Sequence, residues 1–320
     1  MSIGKLTAGR EEYYLSCLAA GGDEYYLAPG EEPGRWAGSA AATLGLEGLV
    51  EPAAFRAVLA GLDPRTAEAL VARAGDPGRV TGFDLTFSAP KSVSVAWALC
   101  DPEVAKAIGA AHDRAVAGTI SVFETEVLRA RRGHGGLSQV ETDGAVAAAF
   151  PHRTSRAGDP QLHTHVVVAN MTVDDAGRWS APDGRRVYGW AKTLGYLYQA
   201  SLRHQLSETL RLQWGPVRKG AADLAGVDPA AVALFSQRRA EITAELERLG
   251  FDSPPAARTA SLATRPAKEP AADLGELRAA WGSGPPPSSR AWTWPTWSAE
   301  PHRPVPIWGC WSTSSPRPRG

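Results

Sequence analysis

The sequence predicts an α+β fold in which helices pack on strands that are not all consecutive. Many segments have apolar residues at helical spacing. Between them lie a few short runs in which apolar and polar residues alternate or β-branched residues are frequent, as in strands. Hydrophobic residues make up 43% of the 320 residues and charged residues 21%, as in globular proteins with a buried core. No run of about 18 apolar residues occurs, so we expect no membrane insertion.

The first half of the chain is predicted to hold helices around one strand. Apolar positions at helical spacing predict two short helices, 51–62 and 64–75. Residues 82–87 alternate between apolar and polar and are bounded by a turn signal, which predicts a strand. Pro90 suits a first helical turn, and a helix pair is predicted to run from there to about Arg132.

The second half is predicted to hold strands followed by two long helices. Residues 136–156 contain one long strand or a strand pair, and 162–173 is the clearest strand because it is rich in β-branched residues. The segments 190–213 and 229–249 are predicted as amphipathic helices, and the second of them ends at Gly250.

Cysteine usage and charge narrow the function classes. The three cysteines are far apart, which excludes a disulfide framework and a CxxC metal site. The N-terminus lacks the apolar stretch of a secretory signal, so the expected compartment is the cytoplasm. With 34 basic and 34 acidic residues the net charge is zero, so any anion binding must come from local clusters.

Residues 281–320 differ in composition from the rest of the chain. They hold nine of the 25 prolines, six of the 11 tryptophans and no leucine. Because prolines block both helix and sheet hydrogen bonds, we predict one domain over residues 1–280 followed by a disordered tail. We interpret the tail as the frameshifted or truncated end of a longer gene, a hypothesis that translation of the downstream DNA in the other two frames would test.

Three of the seven histidines, His152, His163 and His165, lie within fourteen residues. His163 and His165 are two apart on a predicted strand, which places both imidazoles on one face. The turn residues Gly158-Asp159-Pro160 precede them, so an antiparallel hairpin sets His152 across from both. Any one of them alone would be an ordinary strand residue. Three converging imidazoles with an open position are typical of a catalytic metal site, for an imidazole-tolerant ion such as Zn²⁺ or Mn²⁺, or for Mg²⁺ with substrate oxygens.

Two tyrosine pairs and one carboxylate complete the set of candidate catalytic residues. Tyr13-Tyr14 recurs twelve residues on as Tyr25-Tyr26, each pair between Glu and Leu. Aromatic pairs usually pack in a core, but tyrosine is also a covalent nucleophile toward phosphorus, and a metal ion can assist it by polarising the phosphate. Asp84 lies at the centre of a predicted strand, either as a strand-edge acid or as the partner of a metal-binding histidine.

The candidate residues lie in motifs that resemble those of a known protein family. The tyrosine pairs, GFDLTFSAPKSVS (82–94) and FPHRTSRAGDPQLHTHVVVAN (150–170) resemble the conjugative relaxases of the TrwC/TraI type, the MobF family of the HUH endonuclease superfamily. The resemblance runs from residue 1 to about residue 280. It implies an antiparallel β-sheet palm, ferredoxin-like in circularly permuted order, covered by helices and preceded by a tyrosine segment.

The resemblance also implies roles for the candidate residues. It implies that the three histidines hold one divalent metal ion, Mg²⁺, Mn²⁺ or Zn²⁺, and that Asp84 orients a histidine or takes the tyrosine proton. The implied nucleophiles are the first tyrosines of each pair, Tyr13 and Tyr25, while the second tyrosines, Tyr14 and Tyr26, stay open as alternatives.

The implied activity is site- and strand-specific nicking and rejoining of single-stranded DNA at a plasmid transfer origin, which initiates conjugation. A tyrosine keeps the 5′-phosphate, and a second tyrosine ends the transfer. Implied partners are the transfer-origin DNA, accessory relaxosome proteins and type IV secretion coupling proteins. No GxxxxGK[ST] motif occurs, so the helicase that such relaxases usually carry is not expected in this chain.

The candidate DNA-binding residues are Lys91, Arg131, Arg132, Arg153 and Arg156. Arg153 and Arg156 follow a candidate metal histidine, which favours phosphate contact, whereas a solvated surface is an equal expectation for Arg131 and Arg132. Three alternative functions stay open for the whole protein. They are an inactive, truncated DNA-binding fragment, a rolling-circle replication initiator, and a three-histidine metal hydrolase that attacks with bound water.

Overall fold

The computed structural model describes residues 1–15, 32–250 and 273–283. The strands are β1 (Ser2–Thr7), β2 (Arg35–Ala37), β3 (Val80–Ser88), β4 (Ala130–Arg132), β5 (Ser138–Val140), β6 (Ala145–Thr154), β7 (Pro160–Val173) and β8 (Trp179–Ser180). The α-helices are α1 (Glu11–Leu15), α2 (Pro52–Ala60), α3 (Lys91–Leu99), α4 (Pro102–Val122), α5 (Gly184–Leu210), α6 (Pro229–Leu234), α7 (Gln237–Leu249) and α8 (Leu274–Gly282).

Six of these strands form one antiparallel sheet. Its order is β1-β3-β7-β6-β2, and β8 pairs with the end of β7. β4 and β5 form a separate two-stranded ribbon. The predicted α+β class with an antiparallel sheet and covering helices is confirmed. Among the described residues, no helix combines the length and the apolar character that a bilayer crossing requires.

Side chains of the sheet alternate between two faces, each with its own apolar core. The face that we call the helix face carries Leu85 and Val166 and packs on α3, α4 and α5. The other, which we call the tyrosine face, carries Val146 and Phe150 and packs on α2 and Tyr14. This packing fixes which residues of β6 and β7 face the same way, because slipping a strand by one residue would reverse every side chain.

The hairpin β6–β7 has the geometry that the sequence predicts. His152 pairs with His163, and Phe150 pairs with His165, with a register shift just beyond His152. On its other side β7 pairs with β3, where Thr86 lies opposite His165. β7 is therefore held by hydrogen bonds from both neighbours along the segment that carries two of the candidate metal ligands.

The helix predicted over 64–75 is wrong. Ala67 and Arg73 adopt left-handed backbone angles, with φ of 61° and 62°. The Asp63 carboxylate accepts hydrogen bonds from the backbone N–H and the guanidinium of Arg65. An aspartate that bonds the backbone two residues on stabilises a turn in place of a helix, so the helical spacing of apolar residues does not decide the structure here.

Other helix boundaries shift for local reasons. The helix pair after Pro90 is α3 and α4, but α4 passes into a π turn, Phe123–Val127, and ends before the predicted Arg132. α5 begins at Gly184 rather than at residue 190. The Asp183 side chain caps the N-terminus of this helix by accepting a hydrogen bond from the backbone N–H of Arg185. The helix predicted over 229–249 is divided into α6 and α7 near Phe235.

The predicted disordered tail lies almost wholly outside the described residues. Its first residues are described, and helix α8 continues through Trp281 and Gly282, beyond the predicted domain end at residue 280. Trp281 is only 9% exposed. The end of the domain is therefore packed against the rest of the fold at this point.

Candidate active site

The hairpin β6–β7 brings the three predicted histidines together on the tyrosine face. Their ring centroids lie 5.3 Å apart for His152 and His163, 5.1 Å for His152 and His165, and 5.2 Å for His163 and His165. The three histidines converge because of the strand pairing. His152 on β6 lies directly opposite His163 on β7. His165 is two residues after His163 on β7, so its side chain lies on the same face of the sheet.

His165 is oriented by Asp84 from the neighbouring strand β3. The His165 Nδ1 lies 2.9 Å and 3.0 Å from the two carboxylate oxygens of Asp84. A carboxylate only accepts, so Nδ1 carries the proton and the lone pair lies on Nε2. Thr86 contacts both groups, at 3.3 Å from Asp84 Oδ1 and 3.2 Å from His165 Nδ1.

His163 is oriented in the same way by the backbone. Its Nδ1 donates to the carbonyl oxygen of Gln161 at 2.9 Å, which again leaves the lone pair on Nε2. Burial, together with the neighbouring His165 and His152, lowers the pKa of His163 to about 3. At neutral pH this imidazole is uncharged, which is the form that binds metal ions.

The spacing of the three rings fits a single ion. Imidazoles bound tetrahedrally at about 2.1 Å would hold their ring centroids roughly 5.2 Å apart, and the observed separations are 5.1–5.3 Å. Within the part of the chain that the structure describes, no group of three or more His, Cys, Asp or Glu side chains is arranged, as it stands, to hold a metal ion. The three histidines are compatible with one ion through the spacing of their rings and through the Nδ1 hydrogen bonds of His163 and His165, which leave each Nε2 lone pair available as a ligand.

Tyr14 is buried beside His165, and their ring centroids lie 5.8 Å apart. It is 3% exposed and packs on Phe150 and Phe55, with ring centroids 5.4 Å and 6.5 Å away. Its hydroxyl hydrogen-bonds Asp84. Burial and the negative charge of Asp84 raise the pKa of the Tyr14 hydroxyl well above its ordinary value, so this phenol stays protonated.

Tyr13 occupies the more accessible side of the same site. Its ring is half-buried, 5.1 Å from the ring of Tyr14 and 6.4 Å from that of His165. The guanidinium of Arg156 lies 5.5 Å from the centre of the Tyr13 ring. Tyr13 is thus the tyrosine of this pair that meets both a cation and the histidine cluster. Tyr25 and Tyr26 lie outside the described residues.

The other candidate DNA-binding residues make contacts within the protein. Arg153 points to the helix face, where it pairs with Glu32 and lies 5.4 Å above the ring of Trp97. The Lys91 Nζ donates to the carbonyl oxygen of Pro160 at 2.9 Å, and burial lowers the Lys91 pKa. Of the five predicted cations, only Arg156 lies against a candidate catalytic residue among the contacts described.

Arg131 and Arg132 lie on the separate ribbon formed by β4 and β5. Arg132 forms an ion pair with the buried Asp174 at 2.8 Å. Arg131 is exposed, and its Nε donates to the carbonyl oxygen of Gly136 at 2.9 Å. Neither residue belongs to the histidine cluster.

Two parts of the site were not predicted from sequence. Thr86 lies two residues after Asp84 on one strand, so period-two alternation could have placed it on the tyrosine face. A buried chain of hydrogen bonds also reaches β7 from the helix face. His112 joins Tyr198 Oη at 2.7 Å to Thr164 Oγ1 at 2.9 Å, and Thr164 stands between His163 and His165. No local pattern in the sequence links these three residues.

Comparison with known proteins decides the family. The TrwC relaxase family model matches residues 8–284. The chain belongs to the TrwC relaxase family. The resemblance predicted from the tyrosine, aspartate and histidine motifs is therefore confirmed.

Relatives of this TrwC-family chain include the multifunctional conjugation protein TraI of Escherichia coli, 37% identical over 223 residues. TraI of Escherichia coli strain K12 is 36% identical over 248 residues. These matches cover 66% and 73% of this chain but only 12% and 13% of the TraI proteins. The chain thus spans a small part of the length of its curated relatives.

Solved structures of conjugative relaxase TrwC share the fold. The metal-free complex of TrwC with OriT DNA superposes with a TM-score of 0.75 at 32% identity. The copper-bound complex of TrwC with OriT DNA gives a TM-score of 0.74 at 35% identity. Both comparisons cover 88% of this chain and 96% of the TrwC chain.

Proposed function

We propose that this chain is a metal-dependent relaxase that nicks single-stranded DNA at a plasmid transfer origin and can rejoin it. One arrangement carries the proposal. Three histidines with ring centroids 5.1–5.3 Å apart, one of them bonded to Asp84, share a sheet face with a half-exposed tyrosine. The complexes of TrwC with OriT DNA, metal-free and metal-bound, support both the substrate class and the cofactor.

His152, His163 and His165 would hold one divalent ion, which when bound neutralises charge on the phosphate oxygens and makes the phosphorus a better electrophile. Three imidazoles favour Zn²⁺, Mn²⁺ or Cu²⁺ over Mg²⁺, which prefers oxygen ligands. Asp84 accepts a hydrogen bond from the Nδ1–H of His165, which would leave Nε2 to bind the ion.

Tyr13 is the proposed nucleophile. Its phenol oxygen forms a bond to phosphorus as the bond from phosphorus to the 3′-oxygen breaks, and the departing 3′-oxygen takes a proton from water to become a hydroxyl. The phenol proton passes to a base such as Asp84, a carboxylate on the same face. Arg156, beside the Tyr13 ring, is placed to bind a phosphate oxygen. Because one phosphodiester replaces another, the reverse reaction rejoins the strand without ATP.

Further parts of the proposal rest on family membership. A second transfer by Tyr25, with Tyr26 as the alternative, would end the reaction while Tyr13 is occupied. Accessory relaxosome proteins and type IV secretion coupling proteins are proposed partners. The cytoplasmic location expected from the sequence stays a prediction.

The test is covalent adduct formation. The protein is incubated with Mn²⁺ and single-stranded DNA from a candidate transfer origin, labelled at its 3′ end, then run on a denaturing gel. We expect a labelled protein band, which EDTA abolishes. The Tyr13→Phe/Tyr25→Phe double variant should lose more than 99% of this band in a single turnover, because both proposed nucleophiles are removed and Tyr14 is buried and stays protonated.

Tyr14→Phe is the matched control. It removes a hydroxyl from the adjacent, buried tyrosine and should retain the adduct within about tenfold of the wild-type rate. Cleavage without any adduct would support a hydrolase that attacks with water. An adduct that survives Tyr13→Phe but disappears in Tyr14→Phe would reassign the nucleophile.

A further inference from the structure

We propose that Trp281, in the last described helix, is a positioning residue that holds the β6–β7 loop and so places Arg156 beside Tyr13. We define the β6–β7 loop as residues 155–160. The proposal rests on the proposed function, because it assigns the loop a part in the reaction of Tyr13.

The loop has an ordered turn of its own. The Ser155 N–H donates to the carbonyl oxygen of Asp159 at 2.8 Å, and the Gly158 N–H donates to that of Ser155 at 3.1 Å. The Ser155 Oγ accepts hydrogen bonds from the backbone N–H groups of Ala157 and Asp159, at 3.2 Å and 3.3 Å. These bonds shape the loop but do not fix its position relative to the rest of the protein.

Three distant elements fix that position. The Lys91 Nζ, at the start of α3, donates to the Pro160 carbonyl oxygen, and the Gln237 Nε2, at the start of α7, donates to Asp159 Oδ1, each at 2.9 Å. The Trp281 Nε1 of α8 donates to the Gly158 carbonyl oxygen at 2.9 Å. Asp159 is 1% exposed, so the loop is anchored at its C-terminal side.

Helix α8 is itself tied to the core beneath the loop. The Arg278 guanidinium donates to the carbonyl oxygens of Trp97, Ala98 and Cys100 at the end of α3, at 2.8–2.9 Å. The Trp281 ring packs edge-on against Trp97, with centroids 6.1 Å apart. Trp281 therefore joins a fixed point of the helix face to the turn of the hairpin.

The free side of the loop carries Arg156, whose guanidinium lies 5.5 Å from the centre of the Tyr13 ring. Arg156 is two residues from the carbonyl that Trp281 holds. A shift of the loop would move this cation relative to the tyrosine and to a bound phosphate, and small misplacements of such groups are costly to rate. Trp281 acts in this way through Arg156 and touches no reacting atom.

The first test is hydrogen exchange in the whole chain. Trp281→Phe keeps a ring against Trp97 but removes the N–H donor. We expect the amides of residues 155–159 to exchange about fivefold faster, as for the loss of one hydrogen bond. Trp214→Phe is the matched control, because it removes an indole N–H that donates to Ser207 Oγ at 2.9 Å, away from the loop. Unchanged exchange in Trp281→Phe would overturn the proposal.

The second test is a double-mutant cycle on adduct formation at saturating DNA. Trp281→Phe should slow the reaction about fivefold in the wild-type background and have no further effect in Arg156→Ala, because the two residues act in series. If Trp281→Phe slows the reaction equally in the wild-type and Arg156→Ala backgrounds, Trp281 does not act by positioning Arg156 and the proposal is overturned. A wild-type protein that forms no adduct would refute the proposed function, while the exchange experiment would still decide whether Trp281 holds the loop.

Discussion

At the scale of single residues, burial distinguishes two adjacent tyrosines. Tyr14 is enclosed by aromatic rings and hydrogen-bonded to Asp84, which raises its pKa. Tyr13 keeps an accessible side next to Arg156. Adjacent residues on a helix point about 100° apart, so one of the pair packs in the core and the other faces the site.

Asp84 is expected to act on the metal ion through His165, with which it shares hydrogen bonds. Asp84→Asn should leave His165 without a carboxylate to fix its Nδ1 proton, and we expect metal affinity to fall about 10- to 100-fold. Isothermal titration with Mn²⁺ measures this. Asp76→Asn, which changes a partly exposed carboxylate paired with Arg73, is the control and should bind as the wild type does. Equal affinity in the Asp84 variant would show that the carboxylate does not orient a ligand.

At the scale of elements, β7 is held from the helix face as well as by its neighbouring strands. The chain Tyr198–His112–Thr164 ends between two candidate metal ligands. His112 is 1% exposed, and burial lowers its pKa to about 3. A neutral imidazole has one donor and one acceptor nitrogen, so both of its hydrogen bonds are satisfied without charge.

The pH dependence of the free energy of unfolding should reveal that His112 is neutral in the folded state. The folded state keeps His112 neutral down to about pH 3, whereas the unfolded chain protonates it near 6.5. Because the unfolded state then binds more protons, the free energy of unfolding should fall as the pH drops from about 6.5 towards 3. His112→Gln should cost about 1–3 kcal/mol at pH 7 but give a shallower decline. Urea denaturation at several pH values measures both, and an unchanged slope would contradict the assignment.

Local sequence patterns predict the hairpin but not its supports. Alternation, β-branched residues and the Gly158 turn encode β6 and β7, so the three histidines could be placed on one face from sequence. The turn at 64–75 was missed because a side-chain bond from Asp63 overrides apolar spacing. His112 and Trp281 reach the site through contacts between residues far apart in the chain, and such contacts leave no periodic signal.

At the scale of the whole molecule, the balanced charge is compatible with local recognition. The net charge is zero. Three of the five candidate DNA-binding cations, Arg132, Arg153 and Lys91, bond to carboxylates or to a backbone carbonyl of the protein. A site that grips one phosphate needs few cations. Composition alone therefore gave little information about nucleic-acid binding.

Metal binding should stabilise the entire fold. An ion that binds only the folded state at 100 times its Kd adds about 2.7 kcal/mol to the free energy of unfolding. We expect thermal melts to shift upward with Mn²⁺ or Zn²⁺ and to return to the starting value with EDTA. His163→Ala should abolish the shift, while His134→Ala, at an exposed turn, should retain it. A shift that persists in His163→Ala would place the ion elsewhere.

The most direct measurement maps the residue that carries DNA after cleavage. The protein is reacted with metal and a short single-stranded transfer-origin oligonucleotide, digested with protease and nuclease, and sequenced by mass spectrometry. We expect a 5′-phosphonucleotide on Tyr13, in a fragment that contains α1. Phosphonucleotide on Tyr14, or cleaved DNA with no modified tyrosine, would contradict attack by Tyr13 on a phosphate held at the histidine cluster.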